Sequence, residues 1–404
     1  MDSAPRKEKI LNQPPVRSKD RFLVFGAPLI ADDEIAEVNA VLKSGWLGTG
    51  PRAARFESDF ARYRDMPHAV AVNSCTAALQ LSMVALGIGP GDEVITTPLT
   101  FCATVNSILH CGATPVMADI DSTTLNIDPA KVEAKITPRT KAILPVHFAG
   151  RPCNMDALIA LNAQHGLKMV EDCAHAIETD YHGKHAGSFG DFGCYSFYVT
   201  KNIVTGEGGM LLTRDAELAA RAKVLALHGM SKDAWKRFSD DGYKHYQVVE
   251  AGFKFNMMDL QAALGVKQLE KVEQHWARRA DIWARYNKEL AGLPIGLPAP
   301  VEADTRHAYH LYTIQVEEER AGVSRDTFLN AMTHHGIGVG VHYVSLTEQP
   351  YYHERLGWKP EDTPHGTRVG RNILSLPLSP KLTDDDVGDV IKAVKMILEE
   401  AGRS

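Results

Sequence analysis

Ser196-Phe-Tyr-Val-Thr-Lys-Asn-Ile-Val-Thr-Gly-Glu-Gly-Gly-Met210 opens as a buried strand, places one lysine, Lys201, just beyond it and closes on glycines. Apolar runs at 192–199 and 210–213 flank it. A lysine in such a Gly-bounded turn is poorly explained as solvated surface. Burial lowers a lysine's pKa and gives the nucleophilic amine that a Schiff base needs. Taken alone, Lys201 reads as an exposed turn residue, because lysine is almost never fully buried.

Two other stretches bear on that choice. In Leu167-Lys-Met-Val-Glu-Asp-Cys-Ala-His-Ala176 a short apolar run delivers two carboxylates and then a histidine. Ligands of an open α/β sheet sit beyond the carboxyl ends of its strands, so Asp172 is expected to face a ligand with His175 close by. An aspartate beside a pyridinium nitrogen makes pyridoxal phosphate an electron sink; a helix N-cap is the other reading of Asp172. In Ala69-Val-Ala-Val-Asn-Ser-Cys-Thr-Ala-Ala-Leu-Gln80 a strand breaks at Asn73-Ser74 and a helix begins near Thr76. Free N–H groups at a helix start bind anions, although a Ser/Thr-capped βα loop gives the same pattern.

Together these stretches resemble the DegT/DnrJ/StrS sugar aminotransferases, within the fold-type I pyridoxal-phosphate enzymes. The resemblance spans about residues 22–400. Its further markers are Ser44-Gly-Trp-Leu-Gly-Thr-Gly-Pro51, Thr100-Phe-Cys-Ala-Thr104, Pro145-Val-His-Phe-Ala-Gly150, Phe255-Asn-Met-Met-Asp-Leu-Gln-Ala-Ala-Leu-Gly265, Gly340-Val-His-Tyr343 and Leu374-Ser-Leu-Pro-Leu378.

The resemblance implies pyridoxal 5′-phosphate on Lys201, with Asp172 at the ring nitrogen and His175 beside the ring or its 3-hydroxyl. Phe101 would lie against the ring. The phosphate would meet the loop at Cys75, Thr76 and Ala77 and the Ser196 hydroxyl. Asn256 resembles the family residue that reaches a neighbouring subunit's phosphate, implying a homodimer with shared sites. Trp46, Thr49, Tyr198, His342 and Tyr343 fall where the sugar would bind. The implied reaction moves an amino group, from glutamate, to a nucleotide-linked keto-deoxysugar at carbon 4, for amino sugar and polysaccharide biosynthesis. Tyr198 stands where many members carry histidine, and Cys75 where glycine is frequent. Two rivals stay open: a transaminase for small amines or other carbonyl compounds, and a non-catalytic sensor on the same fold.

At 404 residues the chain can bury a large core. With 44% hydrophobic and 23% charged residues it reads as a globular protein. The net charge of −6 argues against nucleic acid as a partner. No apolar run is long enough for a membrane span, and the first twenty residues lack an apolar signal core. The cysteines (75, 102, 111, 153, 173 and 194) show no Cys-x-x-Cys spacing, so no metal site is expected. Scattered cysteines fit a reducing cytoplasm. Those at 102 and 111 read as core; those at 75 and 173 adjoin the cofactor loops but read better as small packed residues.

Residues 1–21 read as a loose arm, 22–290 as a large cofactor-binding domain and 291–404 as a smaller α+β domain. From 53 to 215 helix and strand patterns alternate, which predicts a mainly parallel sheet flanked by helices. His147 reads as structural. The segment 228–256, with Trp235, Tyr243, Tyr246 and Phe253 among charges, is too long for a plain connection. A long helix is predicted from Met257 into the 290s, with Trp276 and Ile282 inward and the charges from Lys271 to Arg285 on a solvated face. Strands 309–316 and 337–343 and helices 325–335 and 383–400 complete the prediction.

Overall fold

The computed structural model describes residues 13–231 and 246–402. Trp235 and Tyr243 lie outside the described residues. Strands β1 (His68–Val72), β2 (Glu93–Thr96), β3 (Thr114–Met117), β4 (Thr140–Ile143) and β5 (Lys168–Asp172) alternate with helices. Two short strands, β6 (Asp180–Tyr181) and β7 (Lys184–His185), precede β8 (Phe192–Ser196) and β9 (Gly209–Thr213). The main sheet runs β1-β9-β8-β5-β4-β2-β3. Only β9 is antiparallel to its neighbours; the rest run one way. The fold is therefore the mainly parallel α/β sheet that the alternating pattern predicts.

The strands are buried on both faces, as helix-covered parallel strands are. Side chains alternate across a strand. Val70, Val72 and Leu211 pack on one face with the Cys75–Ala85 and Ala216–Ala226 helices. Ala69, Ala71, Met210 and Leu212 turn to the other face, towards Phe56, Phe60, Ala262 and Val266 of the Pro51–Tyr63 and Asp259–Glu270 helices. Because β1, β5 and β8 share a direction, the Ser74 loop, Asp172 and Ser196 emerge at one edge.

The C-terminal part pairs β11 (Tyr312–Gln315) with β12 (Ile373–Leu376); β10 (Thr305–Arg306) joins β6. Its core joins Tyr312, Phe328, Leu374 and Val390 to Ile282, Trp283, Tyr286 and Leu290 of the Val272–Glu289 helix and its end. Among the described residues no helix is long and apolar enough to cross a membrane.

Several sequence expectations fail locally. The long helix is two, Asp259–Glu270 and Val272–Glu289, broken at Lys271, whose ammonium reaches Asp33 and the fully buried Glu34. Arg279 is not solvated: it is buried and donates to the Leu378 carbonyl. Trp276 is half-buried under the Arg306 guanidinium, its indole N–H bonded to the His307 carbonyl. Residues 337–343 form no strand; they pair only singly, Ile337 with Leu23 and Gly340 with Ser375. The run Gly-Ile-Gly-Val-Gly-Val copies the strand period but lacks a continuous partner. The 309–316 strand shortens because the N–H groups of Ala308, His310 and Leu311 bond instead to Gly150 and Ala149, and that of Tyr309 to His307 Nδ1. From residue 13 the arm is docked: the Arg17 guanidinium meets Asp386 and Asp389 at 2.7 and 2.8 Å, and Leu23 N–H bonds to Gly336 O.

Candidate active site

A cavity of about 450 Å³ opens at the carboxyl edge of β5 and β8, within the ~300–1,000 Å³ usual for small-molecule sites. Lys201, Asp172, His175, Cys75, Thr76, Phe101, Ser196, Tyr198, His342 and Tyr343 all line it. Lys201 lies in the short connection between β8 and β9. Its N–H bonds to the Tyr198 carbonyl, and Thr205 N–H bonds to Phe197 O, so both feet of the connection are fixed. Burial pushes the Lys201 ammonium down to about 8; Cys75 and Asp172 oppose that shift.

Asp172 closes β5 and is buried. One carboxyl oxygen accepts from Thr104 Oγ1 at 2.8 Å and the other from Ala174 N–H at 3.0 Å. Burial raises its pKa against those two bonds and the charge of Lys201. A desolvated carboxylate of this kind is stabilised by a positive nitrogen placed against it. His175 Nδ1 accepts from Ala149 N–H at 3.2 Å, and Nε2 lies 3.1 Å from the Tyr343 hydroxyl. Burial, then the charge of Lys201, pushes its pKa well down, so the ring is neutral. His342 bonds to Ser375 Oγ and burial holds it down to about 4.

At the other end stands the Cys75–Ala85 helix. Ser74 caps it, its Oγ accepting from Ala77 N–H at 3.1 Å. That bond commits the Ala77 donor expected for the phosphate, and Ala77 is buried and does not line the cavity. Cys75 and Thr76 offer the next N–H groups, which have no helical partner at a helix start. The helix start is pressed against β9: a Cβ at Gly209 would lie 2.5 Å from Ser74 O and 2.7 Å from Cys75 N. Burial raises the Cys75 thiol well above its usual pKa and Cys173 to about 11, so both stay protonated.

These residues fit pyridoxal phosphate. The aldehyde would meet an amine near neutrality, the ring nitrogen a buried carboxylate, the ring an exposed Phe101 face, and the phosphate a helix start and the Ser196 hydroxyl. Among the described residues no second lysine and no arginine lines the cavity, so those residues bring little positive charge to a phosphate.

Trp46, Thr49 and Asn256 lie elsewhere. Asn256 Nδ2 donates to Thr49 Oγ1 at 2.6 Å, and Trp46 Nε1 to Thr49 O at 3.1 Å. None of the three lines the cavity of its own chain. Trp46 is 52% exposed, and its neighbour Leu47 and Met258 are exposed too.

Sequence reasoning missed Thr104, which fixes Asp172, and His310, which lines the cavity. Thr104 stood inside a quoted marker; His310 carried no local signal. His147 is fully buried against Glu171 at 3.0 Å, as a structural residue would be. With Cys173 they form a compact group, but Glu171 is saturated by the N–H groups of Gly187, Phe189 and Gly190.

A family model described as the DegT/DnrJ/EryC1/StrS aminotransferase family matches residues 28–395. The chain is 52% identical over 388 residues to the spore coat polysaccharide biosynthesis protein SpsC of Bacillus subtilis (strain 168), covering 96% of this chain and 100% of that one. Among solved structures it resembles Spr1654 of Streptococcus pneumoniae in a PMP form, at 34% identity and TM-score 0.88 over 94% of this chain and 100% of that one. The PLP form of the same protein matches at 33% and 0.87, over 94% and 99%. Helicobacter pylori PseC, an aminotransferase involved in the biosynthesis of pseudoaminic acid, matches at 28% identity and TM-score 0.87 over 94% and 100%.

Proposed function

The chain belongs to the DegT/DnrJ/EryC1/StrS aminotransferase family and is a pyridoxal-phosphate-dependent aminotransferase; from that premise we propose that it moves an amino group from glutamate to carbon 4 of a nucleotide-linked keto-deoxysugar. The product would feed polysaccharide synthesis in the cytoplasm. The observation that carries the reading is Lys201, an amine held near neutrality in one cavity with the desolvated carboxylate of Asp172. The name of the SpsC relative, matched along its whole length, supports a polysaccharide sugar as acceptor.

Pyridoxal phosphate supplies a ring that withdraws electrons from the carbon beside the substrate nitrogen. Lys201 Nζ would hold it, Asp172 would keep a proton on its ring nitrogen, and Cys75, Thr76 and Ser196 would take its phosphate. Lys201 Nζ, once free, accepts the proton that leaves the donor Cα; an amine near neutrality suits general acid–base work. Thr104 and Ala174 orient Asp172 for its part. Neutral His175 lets the Tyr343 hydroxyl face the cavity without adding a charge that would repel the ring. Trp46, Thr49 and Asn256, absent from their own cavity, would serve the partner's site in a homodimer.

The test is an assay of the loaded enzyme with glutamate and a panel of UDP-, dTDP- and GDP-linked 4-keto and 3-keto sugars, reading 2-oxoglutarate. Turnover of a 4-keto sugar is expected. Turnover only of a 3-keto sugar rejects the position; turnover only of small amines or simple carbonyl compounds rejects the sugar.

A further inference from the structure

In the cavity wall the rings of His175 and His310 lie against each other at a tilt, with centroids 4.4 Å apart and planes 32° apart. Both are buried and line the cavity. Their protons are set by fixed groups. His175 Nδ1 accepts from the Ala149 N–H, so its proton is on Nε2 and points to Tyr343. His310 Nδ1 lies 2.9 Å from Asn202 Oδ1. The orientation of that amide is not free: its Nδ2 donates to the Ala308 carbonyl at 2.9 Å and to Glu178 Oε2 at 2.7 Å. Reversing it would set oxygen against oxygen at Ala308. Asn202 therefore accepts from His310, whose proton is on Nδ1.

The two imidazoles are thus neutral and in opposite tautomers. One presents an N–H and the other a lone pair, at Nε2 of His310. Among the described residues that nitrogen has no protein partner, and it is not one of the fully enclosed unpartnered atoms, so it opens on the cavity. Burial is the largest cause of both depressed pKa values, and the Lys201 charge contributes to each; Lys201 and both rings line the one cavity.

Glu178, at the far end, is fully buried, and burial raises its carboxyl to about 7 against the pull of Arg279. Its second oxygen and the Nε of Arg279 are both enclosed without a partner. Lys201 and Asn202 are consecutive, so one short stretch of backbone sends the amine into the cavity and the amide into this array.

We propose that Glu178 and Asn202 are positioning residues for the transamination: they hold His310 in its Nδ1–H tautomer, so that its Nε2 lone pair accepts a hydrogen bond from the Lys201 amine whenever that amine is free. The arrangement would keep the amine aimed between proton transfers without charging either ring. It rests on the reading of Lys201 as the reacting amine.

Neutron diffraction from deuterated crystals of the unliganded protein near neutral pH tests the array directly. Deuterium is expected on His310 Nδ1 and on His175 Nε2, with His310 Nε2 bare. Deuterium on His310 Nε2, alone or with Nδ1, overturns the proposal. This arm needs no substrate, so its failure is separate from failure of the sugar assay. It also decides the matter if the variants do not fold. In the loaded enzyme Asn202→Leu should lower kcat at least about tenfold, the scale at which misplacement of reacting groups is felt, with KM for glutamate unchanged. Glu178→Leu should lower kcat less, and Glu178→Gln, which still accepts from Asn202, should restore it. An Asn202→Leu enzyme with wild-type kcat, or a Glu178→Gln enzyme no better than Glu178→Leu, rejects the role of that residue.

Discussion

The cavity around Lys201 and the patch around Trp46, Thr49 and Asn256 are both polar and aromatic, yet they use their groups differently. In the cavity Asp172, His175 and His310 are buried, and each is oriented by a backbone group or a second side chain. Asp172 has Thr104 and Ala174; His175 has Ala149 and Tyr343. In the patch the amide and hydroxyl bond to one another, while Trp46 and Met258 face outward. The cavity holds charge chemistry but, among the described residues, has one lysine and no arginine for a phosphate and a substrate. The patch holds donors and an exposed indole but has no cavity. Each region has what the other lacks, which is how two copies related by a two-fold axis would divide a site.

The sharpest attempt to break this comparison removes the amine. Lys201→Ala should lower turnover at least ~10⁴-fold, about 5 kcal/mol of barrier, because among the described residues no second amine lines the cavity. The visible band of the loaded protein should vanish with it. A mutant that keeps both band and turnover would leave the cavity without its central role.

Asp172→Asn comes next. Cofactor should still bind, but the rate should fall ~10²–10³-fold, about 3–4 kcal/mol, because an amide cannot hold a positive ring nitrogen. A loss of only two- or threefold would make Asp172 a structural residue.

Burying Lys201 also costs the cofactor-free protein stability, with a definite pH dependence. Burial lowers its pKa from 10.5 to about 8. Between those values the unfolded chain holds the proton and the folded chain does not, so stability rises with pH through that window. Below about 8 the cost is complete; above 10.5 it is gone. Lys201→Met should therefore stabilise the cofactor-free protein at pH 7 by at most ~3 kcal/mol, less to the extent that the amine opens on the cavity. The gain should shrink by pH 9.5. Urea unfolding at both pH values reads it, and an equal gain at both would place Lys201 in a solvated setting.

The smallest effect falls on the patch. Asn256→Asp should weaken cofactor binding about tenfold by setting a carboxylate near the partner's phosphate. Mixed with Lys201→Ala under subunit exchange, a mixed dimer has one site with both groups intact and one with neither. With half the dimers mixed, about a quarter of all sites should recover. The assay is run at limiting cofactor, too low to load Asn256→Asp appreciably, so that each mutant is nearly inactive alone; exchange is followed separately, for instance by mass. Confirmed exchange with no recovery would return Asn256 to its own chain.

What the sequence revealed, and what it hid, follows the same division between local and distant. Lys201, Asp172 and His175 were legible because each sits just past an apolar strand run, where a parallel sheet delivers its ligands. The capping of Ala77 by Ser74 stood as an open alternative, because a free helix start and a capped one have the same sequence. His310 could not be found, since its partners, Asn202 and Ala149, lie more than a hundred residues upstream. Helical spacing continues through Lys271; only Glu34, brought against it by the fold, shows why the helix stops there. Arg279 read as surface because a charged helix face gives no sign that Leu378 will cover it. The strand expected at 337–343 had the right period but no continuous neighbour.

The place of β9 has a kinetic consequence. It lies between β1 and β8, yet it is made roughly 140 residues after β1, whose whole ladder is with β9. Until β9 inserts, β1 is an unpaired edge, and the turn at Ser74 has no Gly209 to rest on. A chain emerging from the ribosome would thus carry Asp172 and Lys201 before it had a place for a phosphate. Competence to take up cofactor should arrive in one late step, with closure of the sheet, rather than accumulate as the strands form.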